Sequence, residues 1–145
     1  MRGLFYNQTL PLHINYQFFQ MLMSITFKRI NHFHICIAPE RLEEAKDFYI
    51  NIIGLEMIPR PDHVFASPGY WFNIGDVQLH LGVERSLPFT DRHTAIEVTD
   101  ILAAQKHLEA NGIVIYPQPK VRGWERFAFA DPFGNRMELL QIINE

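Results

Sequence analysis

The chain repeats itself. One half reads Asn31-His32-Phe33-His34-Ile35-Cys36-Ile37, then a helical pattern ending at Gly54, then Gly75-Asp76-Val77-Gln78-Leu79-His80-Leu81. The other half reads Arg92-His93-Thr94-Ala95-Ile96-Glu97-Val98, then a helical pattern ending at Gly112, then Phe133-Gly134-Asn135-Arg136-Met137-Glu138-Leu139. His93 follows His32 by 61 residues, whereas Glu138 follows His80 and Gly112 follows Gly54 by 58. The three-residue slip is read into the helix segment, as a shorter helix in the second half. A duplication restricts the fold to two copies of one supersecondary unit. One ligand-type residue at each equivalent point predicts a shared site near a pseudo-twofold axis.

Each unit reads as β-α-β-β-β. Phe33, Ile35 and Ile37 point one way along a strand, and His32, His34, Cys36 and Ala38 the other. Pro39-Glu40 suits a helix start, Leu42, Ala45, Phe48, Tyr49 and Ile52 form its apolar stripe, and Gly54 its stop. Leu55–Pro59 reads as a strand, and Tyr70–Ile74 with Val77–Val83 as a hairpin about Gly75-Asp76. In the second unit His93–Val98 alternates, Asp100 is an N-cap, and Ile101, Ala104 and Leu108 face inward. Asn111-Gly112 ends that helix, and Ile113–Tyr116 is a strand. Arg126–Ala130 and Arg136–Ile142 form a hairpin around the turn Asp131-Pro132-Phe133-Gly134-Asn135.

The fold class is therefore α+β, with two βαβββ modules, about 30–85 and about 91–143, whose sheets bury their apolar side against outer helices. The opposite side forms a concave face. Val77, Leu79 and Leu81 are the apolar set of one strand, so Gln78, His80 and Gly82 face the cup. Met137 and Leu139 leave Arg136, Glu138 and Leu140 there. Counting by twos places His32, His34, His80, His93, Glu97 and Glu138 on that face.

Composition excludes several classes. With 48% hydrophobic and 20% charged residues, the 145-residue chain is an ordinary globular protein. A formal net charge of −3 gives no basic excess for nucleic acid. The single cysteine, Cys36, forms no intrachain disulfide, which fits a reducing cytoplasm. No stretch reaches the roughly 20 apolar residues of a membrane helix. Segment 18–27 comes nearest but holds Gln20 and Ser24. Residues 1–29 match nothing in the repeat and lack the pattern of a signal peptide. They read as an appended arm, or as sequence upstream of a start at Met21 or Met23, leaving 30–145 as the domain.

These motifs, in this order from about residue 30 to 143, resemble the vicinal oxygen chelate superfamily of glyoxalases, bleomycin-resistance proteins and extradiol dioxygenases. The pieces that carry the resemblance are Asn31–Ile37, the helix end Phe48–Glu56, the hairpin Phe72–Leu81, the strand His93–Val98 and the ending Phe129–Leu139. The resemblance implies a cup holding one divalent ion (Zn, Ni, Co, Mn or Fe) with open positions. It places the metal ligands at His32, His80, His93 and Glu138, with Glu138 and His80 as catalytic groups. It also implies a homodimer, and modules can pair within a chain or across two chains. Glyoxalase I enzymes typically carry glutamate where this chain has His80, so the resemblance reaches the metal cup but not glyoxalase I activity. Extradiol dioxygenases and fosfomycin-resistance thiol transferases use only the equivalents of His32, His93 and Glu138, a 2-His-1-carboxylate set.

The expected activity is a metal-dependent lyase or isomerase chelating adjacent oxygens of a small metabolite or thiol conjugate. The alternatives are an Fe(II) dioxygenase and a metal-free drug-binding protein. His80 reads as a fourth ligand, a base, or a donor orienting Glu138. His34 is placed to touch substrate or to serve as a polar wall. Glu97 reads as a general base or as a salt-bridge partner of Arg136, the salt bridge being preferred. Trp71 and Trp124 are core or rim aromatics available to substrate. Lys120–Arg126 reads as a mobile lid, with Arg122 and Arg126 either holding an anionic group or solvated. Cys36 reads as a small filler, and His13, His63 and His107 as surface residues.

Overall fold

The computed structural model describes residues 28–61, 65–85 and 90–143. The readings of the arm 1–27, of segment 18–27, and of His13 and His63 lie outside these residues. Strand β1 (His32–Ile37) is followed by a 3₁₀ turn at Pro39–Arg41, helix α1 (Leu42–Asn51), β2 (Glu56–Ile58), β3 (Gly69–Ile74) and β4 (Val77–Val83). The second module gives β5 (His93–Glu97), α2 (Ile101–Ala110), β6 (Ile115–Pro117), β7 (Trp124–Ala130) and β8 (Arg136–Ile142). The strand orders β1-β4-β3-β2 and β5-β8-β7-β6 are identical, and each module's first strand runs parallel to its last. The duplication in the sequence is thus a duplication in topology.

Both helices have 10 residues, so the second is not the shorter. The three extra residues of the first module are spread along it, one in β1, one in the connection that carries the turn Pro39–Arg41 and one between the helix and Gly54; Pro39 opens that turn because its fixed φ suits a helix start and it has no N–H to satisfy. Helix α2 begins as expected: the Asp100 carboxylate accepts from Ala103 N at 2.9 Å. Gly54 and Gly112 take φ of 81° and 77° at equivalent points after the helices, where a Cβ would be strained.

Each sheet packs its apolar face on its own helix. Ile37, Phe72, Leu79 and Leu81 bury against Leu42, Ala45, Phe48 and Tyr49; Phe127, Phe129 and Met137 bury against Ile101 and Leu108. Phe33, Ile52, Ile53 and Ile113 pack against both clusters. The two apolar clusters therefore share a seam, while His34 and Cys36 of the first polar face and His93 and Arg136 of the second border one cavity. A buried polar joint reinforces the seam. Asp131, 4% exposed, accepts from the Tyr49 hydroxyl at 2.7 Å and from the amides of Phe133 and Asn135. Burial and the charge of Asp131 hold the Tyr49 hydroxyl well above the ordinary phenol range. Nearby, Arg41 donates to the Pro132 carbonyl at 2.7 Å, and His107 donates to the Ile52 carbonyl at 2.7 Å. His107, a surface residue by its sequence, is a link between the modules.

Candidate metal centre

Strand parity places the residues as the alternation predicts. In each parallel pair the first strand of the module brings its polar side chains beside those of the last: His32 opposite Gln78 and His34 opposite His80, then His93 opposite Arg136 and Ala95 opposite Glu138. Two clusters result, one on each sheet. Among the described residues no group of three His, Cys, Asp or Glu side chains within the chain is arranged to hold one ion.

The second-module cluster is the better donor set. Glu138 is 3% exposed, and its Oε2 lies 3.2 Å from His93 Nε2. His93 Nδ1 sits 2.8 Å from the Asp91 carbonyl oxygen, which can only accept. Nδ1 therefore carries a proton. Nε2 then faces the carboxylate either as the second N–H of an imidazolium or, in the neutral ring, as a lone pair that a bound cation would bridge to Oε2. Two donors each about 2.1 Å from one ion lie about 3.0 Å apart at 90° and about 3.4 Å apart at the tetrahedral angle. The observed spacing falls inside that range, so these two residues fit a divalent metal.

Arg126 completes the cluster. Its Nη1 donates to Glu138 Oε1 at 3.1 Å, while its Nη2 donates to the Pro119 carbonyl at 3.0 Å. The guanidinium neutralises a carboxylate that burial alone would penalise, and it leaves Oε2 as the open oxygen. Arg126 is thus occupied on this side rather than standing free over a substrate. Its neighbours differ from the expected lid: Val121 and Trp124 form a bridge, and Ile143 N donates to Gly123 O at 2.8 Å, so residues 121–124 are a tight turn and Trp124 begins β7. Trp124 is 41% exposed at the strand end; Arg122 sits exposed within the turn.

The first-module cluster is a stack. His80 lies between Trp71 and His32, with ring centroids 4.1 Å apart on either side and interplanar angles of 2° and 16°. His80 Nε2 pairs with Gln78 Oε1 at 2.9 Å, and His32 Nδ1 with Asn31 Oδ1 at 2.8 Å. With both oxygens accepting, His32 keeps Nε2 as a bare donor and His80 has committed its Nε2–H. Parallel imidazoles direct their in-plane lone pairs side by side, not toward a common point. His32 and His80 in this arrangement are therefore not two ligands of one ion. Burial, then the neighbouring His32, His34 and Arg60, push the His80 pKa down to about 4, so the stacked ring is neutral.

The remaining sequence expectations sort as follows. His34 packs over Gly82, where a Cβ would fall 2.4 Å from its Nε2. Glu97 does not pair with Arg136, which binds Asp91 at 2.6 Å. Glu97 stands opposite Leu140, four residues along β8 and roughly 13 Å from Arg136. The Cys36 thiol is pushed up to about 11 by burial and by the adjacent Glu84, which makes it inert, in keeping with a filler. Sequence reasoning missed the Arg126–Glu138 pair and the Trp71–His80–His32 stack. Both follow from register: Arg126 is diagonal to Glu138, which stands opposite Ala128, while Trp71 is directly opposite His80 and His32 diagonal to it.

Comparison with known proteins agrees with this architecture. Residues 29–139 match the model of the Glyoxalase/Bleomycin resistance protein/Dioxygenase superfamily. A solved protein from Bacillus anthracis assigned to the glyoxalase family is 32% identical, covering 83% of this chain and 99% of its own, with a TM-score of 0.76. A variant of the fosfomycin resistance protein FosX from Listeria monocytogenes, complexed with Mn(II) and 1S,2S-dihydroxypropylphosphonic acid, is 21% identical over 83% of this chain and 95% of its own, with a TM-score of 0.68. TnmS3, an antibiotic binding protein from Streptomyces sp. CB03234, is 18% identical over 82% and 99%, with a TM-score of 0.63. The last two show the fold alone. None of the curated proteins matches the chain. No described helix is long and apolar enough to cross a membrane.

Proposed function

The chain belongs to the Glyoxalase/Bleomycin resistance protein/Dioxygenase superfamily, and from that footing we propose that it is a metal-dependent lyase or isomerase of glyoxalase type. Its substrate is a small metabolite or thiol conjugate with two adjacent oxygens. The observation that carries this reading is the His93 Nε2–Glu138 Oε2 pair, a buried carboxylate and a partly exposed imidazole at ligand spacing.

Two protein donors are fewer than the three a catalytic divalent site ordinarily has. The third in this reading is His32, whose Nε2 is uncommitted, supplied by a second copy of the chain. Among the described residues no third donor joins this pair within the chain, which favours completion across a homodimer over completion within one chain. A bound divalent ion would contribute Lewis acidity toward the two substrate oxygens. The protein's own part is separate. Arg126 fixes Glu138 so that one oxygen stays open, the Asp91 carbonyl fixes the His93 tautomer, and neutral His80 is a proton acceptor beside His32. The same three donors would serve an Fe(II) dioxygenase, and metal identity separates the two.

The test is metal analysis of protein purified without chelators, followed by stripping and titration with Mn, Fe(II), Co, Ni and Zn. The expected outcome is about one equivalent per chain for at least one of them. Less than about half an equivalent for every metal, unchanged on reconstitution, contradicts the proposal.

A further inference from the structure

A second recognition element lies on the concave face of the first sheet, away from Glu138. A cavity of about 360 Å³ is walled by His32, Trp71 and His80 on one side and by Arg60 and Phe65 on the other. Among the described residues its wall holds no aspartate or glutamate. Arg60 is held in place by a carbonyl and an aromatic ring. Its Nη2 donates to the Ser67 carbonyl at 2.7 Å, and its guanidinium lies 4.6 Å over the Phe65 ring, which in turn meets Trp71 edge-on at 5.8 Å. Among the described residues no carboxylate pairs with Arg60 at salt-bridge distance. This contrasts with Arg41, Arg126 and Arg136, each of which has one.

A guanidinium has five N–H donors in a fixed fork, and here one is used. The Phe65 ring and the Ser67 carbonyl set the plane of that fork, so little side-chain freedom remains to be lost when an acceptor arrives. A pre-oriented cation on the wall of a cavity with no acid among its described lining residues complements an anion with a planar or tetrahedral oxygen head. The apolar surface of Phe65 and Trp71 beside it complements a flat hydrocarbon body.

We propose that this cavity is an anion subsite, in which Arg60 receives the carboxylate, phosphate or phosphonate of a small organic acid whose body lies against Phe65 and Trp71. Calling that acid the substrate rests on the metal reading above, because His32 borders both the cavity and the proposed ion. The anion site itself does not depend on the metal.

The probe is benzoate, with uncharged benzamide as its control, titrated calorimetrically into the full chain both metal-loaded and metal-stripped. The expected result is that benzoate binds at least about 10-fold more tightly than benzamide, and equally in the two forms. Arg60→Gln should abolish that preference and Arg60→Lys should keep part of it, since lysine retains the charge but not the fork. Matching melting temperatures for both variants exclude a folding defect. Absence of benzoate binding, a preference that survives Arg60→Gln, or binding that vanishes with the metal each overturns the anion subsite. In Glu138→Gln protein a retained benzoate preference with lost metal binding supports the subsite independently of the metal proposal. A metal-binding failure in the wild type leaves the Arg60 result readable by itself.

Discussion

Glu138→Gln is expected to lower divalent-metal affinity by more than about 100-fold while leaving the fold intact. Loss of a group that only orients a ligand typically costs 10–100-fold, and removing an anionic ligand costs more. Glutamine is the informative replacement because its carbonyl oxygen can still accept from Arg126, 3.1 Å from the present carboxylate. Alanine would leave a guanidinium facing an apolar void, and a buried ionic group stripped of its partner destabilises by about 3–5 kcal/mol. Metal loss in that variant would be confounded with unfolding. Titration of stripped Glu138→Gln protein, with circular dichroism as the fold check, gives the answer. Wild-type affinity in a folded Glu138→Gln chain would remove Glu138 from the ligand set.

Asp131→Ala is expected to be the most destabilising single change at the joint between modules, by about 3–5 kcal/mol. Its carboxylate receives the Tyr49 hydroxyl at 2.7 Å, the Asn135 side chain at 2.9 Å, and the amides of Phe133 and Asn135 at 2.9 and 2.7 Å. Each donor loses an acceptor in a buried setting, at about 1–3 kcal/mol apiece before relaxation. The melting temperature should fall by roughly 10 °C. Tyr49→Phe removes one of these bonds and leaves the carboxylate its other three, so it should cost only about 1–2 kcal/mol. A loss below about 1 kcal/mol for Asp131→Ala in urea unfolding would show that the joint does not hold the modules together.

Much of this molecule was legible because its signals are periodic. Alternation along β1 and β5 told which side chains share a face, Asp100 and the two positive-φ glycines marked helix ends, and the repeat gave the topology. Pairing was not legible, because parity fixes the face while register fixes the neighbour. Glu97 and Arg136 share a face yet stand too far apart to pair, and Asp91, at the strand's approach, takes the arginine instead. Likewise Arg126 reaches Glu138 because the diagonal position is open: the residue directly opposite Glu138 is Ala128, whose side chain takes no space. Asp131 looked like an ordinary turn residue, since nothing local reveals that Tyr49, 82 positions earlier, donates to it. The same limit applies to the site as a whole. Periodicity put four ligand-type residues on concave faces. Only the packed structure shows them as two separate pairs, one on each sheet.

That separation makes the shared site testable by complementation. His32→Ala and Glu138→Gln chains carrying different tags are co-expressed, the mixed dimer is purified through both tags, and its bound metal is counted. If His32 of one copy meets His93 and Glu138 of the other, one of the two sites in the mixed dimer keeps every ligand. Each parent variant then binds essentially no metal, and the mixed dimer binds about one ion per dimer. A mixed dimer as empty as its parents, beside a wild type that fills about one site per chain, would contradict a centre shared between two copies.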